Sequence, residues 1–147
     1  MEGRPFVILL VEDNLGHAEL VARSFREHQP TNQIYHVSNG EAALDYLFRR
    51  GRYANSKRSP RPHLILLDLR LPRVDGLEVL RAVKASNALC RIPVVVLTTS
   101  EAESDVARAY EYHANSYLVK PVDFDKFIEL MRGLSLYWSR WNRQPWS

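Results

Sequence analysis

Short apolar runs of this sequence end in polar side chains of complementary chemistry. In chain order these side chains are Glu12, Asp13, Asp68, Thr98 and Lys120. Crowded carboxylates raise one another's pKa unless a cation joins them. Carboxylate oxygens are ligands that Mg²⁺ accepts, and a carboxylate can attack phosphorus to form an aspartyl phosphate. The set therefore indicates phosphoryl transfer in which a metal and a lysine neutralise charge on the moving group.

The elements that must position these residues alternate along the chain. The apolar runs, typical of strands, are residues 6–11, 34–37, 64–67, 94–97 and 117–119. Segments of helical periodicity follow each run, and their predicted starts are Leu15, Asn39, Asp75, Ser100 and Asp123. This alternation predicts a parallel sheet covered on both faces.

The composition of the runs predicts the order of the strands. The run 34–37 is short and mixed, which is typical of an edge strand, whereas 6–11, 64–67 and 94–97 are wholly apolar. We therefore expect an α/β fold of the flavodoxin-like, doubly wound (βα)5 type with strand order 2-1-3-4-5. Ligands of such sheets bind beyond the carboxyl ends of the strands, where the polar side chains are expected to meet.

Length and composition bound the class of protein. The chain has 147 residues, of which 46% are hydrophobic and 25% charged, as in a globular domain. We expect a domain over residues 1–135 and an aromatic C-terminal extension over 136–147. No apolar run reaches the roughly 20 residues of a membrane span, no cleavage site follows the first run, and the single cysteine forms no internal disulfide. These features predict a cytoplasmic protein without membrane contact.

Positive charge is concentrated in one basic segment, residues 49–61, which holds six arginine and lysine residues and no acidic one. The net charge of the whole chain is only +3, so the remainder is net acidic. A nucleic-acid-binding protein is one alternative, but no helix-turn-helix, zinc or RNA-binding signature accompanies the segment. We expect a solvated loop and no nucleic-acid partner.

Two further alternatives use the same fold. A flavoprotein is one, and it is disfavoured because Glu12 and Asp13 follow the first strand where a flavin phosphate needs glycine and hydroxyl groups. The other alternative is an adaptor that works without phosphorylation. It is disfavoured because all the residues needed to accept a phosphoryl group are present.

Four segments of the chain resemble the receiver domains of two-component response regulators, over about residues 5–135. They are residues 8–14, 67–76, 96–100 and 117–121. The resemblance implies a switch rather than a classical enzyme. It would take a phosphoryl group from a sensor histidine kinase onto Asp68 in a Mg²⁺-dependent reaction and lose that group slowly by itself.

The resemblance also implies a role for each site residue. The implied ligands of Mg²⁺ are Glu12, Asp13, Asp68 and the backbone carbonyl of Arg70. Thr98 would bind a phosphoryl oxygen, and Lys120 would pair with the phosphoryl group.

Further roles concern switching and lifetime. Tyr117 matches an aromatic switch position that acts together with Thr98. Arg70 and Ser100, two residues after Asp68 and Thr98, would tune the lifetime of the phosphoryl group. The bond between Lys120 and Pro121 is often cis in the family, as X–Pro bonds allow.

A closer resemblance is to the small regulators paired with cyanobacterial and bacterial phytochromes. It rests on residues 47–51, the basic segment, residues 60–68, the absence of an output domain and the aromatic tail. It implies a phytochrome-type kinase partner and leaves the downstream effector open.

The C-terminal region predicts a homodimer. Its apolar residues recur at helical spacing, namely Phe127, Leu130, Met131, Leu134, Trp138 and Trp141. The core is expected to end near Leu134, so Tyr137, Trp138, Trp141 and Trp146 are predicted to lack intrachain partners. Exposed aromatic clusters mark contact surfaces, and a two-fold dimer through the fourth helix, fifth strand and fifth helix would bury this one. The alternative is a tail that folds back on its own domain.

Overall fold

The computed structural model describes residues 6–55 and 57–143, which form one five-stranded parallel sheet. The strands are β1 (Val7–Val11), β2 (Gln33–Val37), β3 (Leu64–Leu67), β4 (Val94–Thr98) and β5 (Ser116–Val119). Their order is β2-β1-β3-β4-β5, so the flavodoxin-like doubly wound fold is confirmed. All residues of β1, β3 and β4 are buried, whereas β2 and β5 at the edges are partly exposed.

One helix follows each strand. The helices are α1 (Leu15–His28), α2 (Gly40–Leu47), α3 (Gly76–Ala85), α4 (Glu103–Glu111) and α5 (Phe124–Leu136). A 3-10 turn, Gly51–Tyr53, precedes β3, and a π-helical turn, Tyr137–Trp141, continues α5. No helix in the described parts of the chain is long and apolar enough to cross a membrane.

Side-chain caps fix where the helices begin, and one expected cap is wrong. Asn39, Asp75 and Asp123 each accept a hydrogen bond from a backbone N–H in the first turn that follows. The fourth helix instead begins after Ala102, which has no side-chain cap. Ser100 lies outside that helix: its hydroxyl oxygen accepts from the Ala102 amide over 3.3 Å, in a turn before the helix, and its proton is donated to the carboxylate of Asp105.

The two faces of the sheet carry separate cores. Helices α2, α3 and α4 pack on one face, where Tyr46 and Leu80 are among the fully buried side chains. Helices α1 and α5 cover the other face through Phe25, Phe127 and Met131. Because apolar helix stripes hold the sheet from both sides, the strand ends stay in a fixed register at the edge that carries the polar residues.

The C-terminal tail departs from expectation. Trp138 is only 9% exposed and joins the core on the α1/α5 face with Phe127 and Leu134, so the prediction that it lacks an intrachain partner is wrong. The reason is that the helical path continues past Leu136 and carries the indole back over the domain. Tyr137 and Trp141 are 50% and 72% exposed, and Trp146 lies outside the described residues.

Two other expectations concern the backbone and the basic segment. The bond between Lys120 and Pro121 is trans, not cis. The basic segment is attached to the domain, since the Tyr46 hydroxyl donates to the carbonyl of Pro60 and Arg61 donates to the carbonyl of Leu47.

Candidate functional site

A buried ammonium lies between two carboxylates at the carboxyl ends of the strands. Lys120 Nζ is 2.5 Å from Glu12 Oε1 and 3.1 Å from Asp68 Oδ2. The backbone N–H of Lys120 donates to the carbonyl of Thr98 over 2.7 Å, which aligns the residue after β5 with the end of β4. Glu12, Asp68 and Lys120, which directly follow β1, β3 and β5, therefore meet at one point.

The carboxylates of Glu12, Asp13 and Asp68 offer oxygen atoms that all lie within 4.8 Å of one another. Glu12 and Asp68 are buried, and Asp13 is exposed. Burial, with a further contribution from the charge of Asp68, raises the pKa of Glu12 to about 7 although Lys120 opposes the shift. The cluster has the carboxylate oxygen donors that suit a hard divalent cation.

A chain of polar contacts flanks this cluster. Thr98 is fully buried, and its hydroxyl oxygen accepts a hydrogen bond from the Ser100 amide over 3.4 Å. The Ser100 hydroxyl donates to Asp105 Oδ2 over 2.5 Å, and the Arg70 guanidinium pairs with the same oxygen. The Tyr117 hydroxyl donates to the Ser100 carbonyl over 3.0 Å, and burial raises the pKa of its phenol. Arg70 and Ser100, which are both expected to tune the lifetime of the phosphoryl group, thus contact the same oxygen atom of Asp105.

A close backbone approach positions Asp68. The turn after β3 folds back so that the Gly76 amide donates to the Leu69 carbonyl over 2.9 Å. A Cβ at Gly76 would lie 2.3 Å from the backbone carbonyl oxygen of Asp68. Glycine is therefore required here by the packing of α3 against the end of β3.

The structure adds two residues that the sequence did not indicate. His17 Nδ1 lies 3.2 Å from Lys120 Nζ, and because an ammonium only donates, the imidazole accepts. The ring stacks on Phe127 with centroids 5.1 Å apart, and burial and the Lys120 charge lower the pKa of His17. The second residue is Asp105. The sequence contains a signal for His17, because a residue in the first turn of the helix after β1 points back toward the strand ends.

The family follows from comparison with known proteins. The model of the response regulator receiver domain matches residues 8–132, so the chain belongs to the response regulator receiver domain family. Phosphorylation on an aspartate is general in this family, its members accept phosphoryl groups from histidine kinases, and they bind a divalent metal.

Several relatives match over most of their length. The chain is 48% identical to the probable methanogenesis regulatory protein FilR2 of Methanothrix harundinacea, over 96% of this chain and 88% of the relative. It is 43% identical to the response regulator Rcp1 of Synechocystis, over 91% and 89%.

Solved structures agree with the fold in detail. The Mn²⁺-bound form of Rcp1 has a TM-score of 0.90 at 41% identity, covering 96% of this chain and 99% of the other. The phosphorylated cyanobacterial phytochrome response regulator RcpA has a TM-score of 0.90 at 37% identity, covering 97% and 99%.

Proposed function

We propose that this protein is a phosphorylation switch that accepts a phosphoryl group from a histidine kinase on Asp68. The observation that carries the proposal is the 3.1 Å approach of Lys120 Nζ to Asp68 Oδ2 within the acidic cluster. This arrangement combines a nucleophilic carboxylate with a fixed cation that can neutralise charge on the arriving group.

The transfer exchanges one bond to phosphorus for another. An Asp68 oxygen bonds to phosphorus as the phosphorus–nitrogen bond to the kinase histidine breaks, and the departing imidazole keeps the electron pair and takes a proton from solvent. Lys120 pairs with the phosphoryl oxygens, and the buried Thr98 hydroxyl donates to one of them. Tyr117, whose hydroxyl contacts the Ser100 carbonyl, is the proposed aromatic switch residue that responds when Thr98 binds the phosphoryl group.

The groups proposed to hold Mg²⁺ are Glu12, Asp13, Asp68 and the backbone carbonyl of Arg70. Their donors are all oxygen atoms, which Mg²⁺ prefers, and oxygen atoms of Glu12, Asp13 and Asp68 lie within 4.8 Å of one another. When bound, the ion supplies charge neutralisation for the phosphoryl oxygens.

Intact-mass spectrometry tests this proposal directly. Wild type, Asp68→Asn and the control Asp125→Asn, an exposed carboxylate in the first turn of α5, are incubated with a small acyl phosphate in Mg²⁺ or in EDTA. Wild type and the control are expected to gain one phosphoryl mass in Mg²⁺ alone. If Asp68→Asn gains it at the wild-type rate, the proposal is wrong.

We further propose that the phosphoryl donor is a phytochrome-type kinase. The support is the likeness to RcpA and to two bacteriophytochrome response regulators, RtBRR and AtBRR, each 42% identical to this chain. Transfer from autophosphorylated phytochrome kinases is compared with transfer from unrelated histidine kinases. Initial rates at least tenfold higher from the phytochrome kinases are expected. Equal or faster transfer from an unrelated histidine kinase would contradict this partner.

We also propose a homodimer through the α4–β5–α5 face and the tail. Large exposed apolar side chains in α4, in the loop before α5, in α5 and in the tail are Tyr110, Val122, Phe124, Leu136, Tyr137 and Trp141. A groove of about 590 Å³ between β5 and α5 is lined by Leu118, Leu130 and Leu134 among others. Exposed apolar surface next to an apolar groove suits a self-complementary two-fold contact.

Analytical sedimentation distinguishes the homodimer from the alternative in which the tail packs only on its own domain. The double variant Tyr137→Ser/Trp141→Ser keeps Trp138 in the core, and Phe48→Ser changes an exposed aromatic residue just after α2 as a control. Wild type and the control are expected to dimerise, more strongly with phosphoryl donor, and the double variant is expected to remain monomeric. Monomers throughout, with and without donor, would exclude this interface.

A further inference from the structure

One carboxylate oxygen holds two groups that flank the phosphoacceptor. Asp105 Oδ2 pairs with the Arg70 guanidinium and accepts the Ser100 hydroxyl over 2.5 Å. The Asp105 side chain is 10% exposed and that of Arg70 is 57% exposed. The aspartate is thus a fixed anchor in the first turn of α4, and the arginine is the partner that is free to move.

Arg70 is attached to the site through its backbone. Its amide donates to Asp68 Oδ1 over 3.2 Å, so the guanidinium extends from the immediate neighbourhood of the phosphoacceptor. A phosphoryl group on Asp68 would replace the carboxylate charge of −1 with a phosphoryl charge of about −1.5 to −2 and would present three acceptor oxygens there. A guanidinium binds such oxygens in a bidentate manner. Phosphorylation would therefore give Arg70 a second anionic partner.

We propose that Asp105 is a positioning residue that competes with the phosphoryl group for the Arg70 guanidinium. By this competition it shortens the lifetime of the phosphorylated state. This inference rests on the proposed phosphorylation of Asp68. In hydrolysis, water oxygen bonds to phosphorus as the phosphorus–oxygen bond to Asp68 breaks, which restores the carboxylate and releases inorganic phosphate. While Asp105 holds Arg70 the path of that water is open, and when Arg70 covers the phosphoryl group the path is hindered.

The change of partner by Arg70 also affects residues near the surface of the domain. Ser100 accepts the Tyr117 hydroxyl on its carbonyl and gives its own hydroxyl to Asp105. Departure of Arg70 leaves an uncompensated charge on Asp105, next to Glu103 in the same helical turn. The β4–α4 loop, α4 and Tyr117 on β5 are therefore biased by which anion holds Arg70.

Four proteins in a mutant cycle test the competition, namely wild type, Asp105→Asn, Arg70→Ala and the double variant. Asparagine still accepts the Ser100 hydroxyl but no longer holds the guanidinium by charge. After removal of donor, Asp105→Asn is expected to lose its phosphoryl mass about two- to fivefold more slowly than wild type, in line with the strength of partly exposed ion pairs. Arg70→Ala is expected to lose it faster. Glu111→Gln, an exposed acid at the far end of the same helix, controls for net charge.

The decisive result is how the two changes combine. If Asp105 acts through Arg70, then Asp105→Asn changes nothing in the Arg70→Ala background, whereas a merely structural role alters decay equally in both. Wild-type decay in Asp105→Asn, or in the exposed Arg70→Ala, overturns the inference and leaves phosphorylation of Asp68 intact. Failure of the wild type to gain any phosphoryl mass overturns both.

Discussion

Lys120 Nζ lies 3.1 Å from Asp68 Oδ2, and the two side chains are only 2% and 8% exposed. Withdrawing such charges from water is costly, and their mutual attraction repays this cost only when the geometry is good and other groups bind the remaining protons. Here Glu12 and His17 supply that binding to the ammonium. The pair therefore serves to hold a cation beside the acceptor more than to stabilise the fold.

Removal of the ammonium tests this arrangement. In Lys120→Met the carboxylates of Glu12 and Asp68 stay buried without their cation, so we expect the free energy of unfolding to fall by about 3 kcal/mol. Lys126→Met, on the exposed side of α5, is expected to change it by less than about 0.5 kcal/mol. Urea unfolding at slightly alkaline pH in EDTA measures both. A loss below about 1 kcal/mol in Lys120→Met would show that the site tolerates unpaired carboxylates.

Much of this site could be predicted from the sequence because its polar residues directly follow or end apolar segments that are typical of strands. Asp68 follows four buried apolar residues, and Thr98 also follows four, so the alternation of strands and helices predicts that both lie at one edge of the sheet. The start of α4 was misplaced at Ser100 because a serine near a helix start looks like a cap. Its hydroxyl oxygen instead accepts from the Ala102 amide in a turn before the helix, and its proton is donated to Asp105, a contact that only the folded structure reveals.

The residues that the sequence missed share one physical reason. His17 and Asp105 reach the site from first turns of helices, and their direction depends on where each helix begins. Trp138 was misassigned because helical periodicity does not tell whether a stripe beyond Leu134 faces its own sheet or a partner. The continuation of α5 as a π-helical turn decides that question.

The pKa of Glu12 predicts how stability depends on pH without metal. Burial raises this pKa from 4.5 to about 7 in the folded protein. The folded carboxyl then holds its proton where the unfolded chain has lost it, so its contribution is fully present below 4.5 and is lost as pH rises through about 7. In EDTA, the free energy of unfolding is expected to decline across this window. Glu12→Gln should flatten the decline, and an unchanged slope in that variant would contradict the assignment.

Mg²⁺ should stabilise the protein through the acidic cluster. A ligand that binds only the folded state adds about 2.7 kcal/mol at a concentration one hundred times its Kd. Asp13 is exposed, so Asp13→Asn is expected to have nearly wild-type stability in EDTA but to lose most of the gain in Tm that Mg²⁺ gives. Asp125→Asn should keep the full gain. Equal gains in Tm for both variants would place the ion elsewhere.

Two glycine substitutions separate a close backbone approach from open space. In Gly76→Ala the new methyl group would lie 2.3 Å from the carbonyl oxygen of Asp68, so the end of β3 or α3 must shift. We expect a loss of at least about 2 kcal/mol and much slower phosphorylation. Nothing lies within 4 Å of a Cβ at Gly133 in α5, and Gly133→Ala is expected to gain up to about 1 kcal/mol. Similar unfolding curves for the two variants would refute this close approach.

Two tryptophans three residues apart are expected to behave in opposite ways. Trp138 is 9% exposed and packs with Phe127 and Leu134, whereas Trp141 is 72% exposed. Removal of a buried indole leaves a cavity as well as losing apolar contact, so Trp138→Ala should lose about 3 kcal/mol. Trp141→Ala should change the free energy of unfolding by less than about 0.5 kcal/mol when measured on dilute monomer.

The same two variants report on the environment of each indole. Acrylamide should quench the fluorescence of Trp138→Ala, which retains the exposed Trp141, more strongly than that of Trp141→Ala, which retains the buried Trp138; Trp146 is common to both variants. At concentrations where the wild type self-associates, Trp141→Ala should shift the association constant while leaving the unfolding of dilute monomer unchanged. If instead Trp138→Ala unfolds like the wild type, the indole does not stabilise the core of the domain.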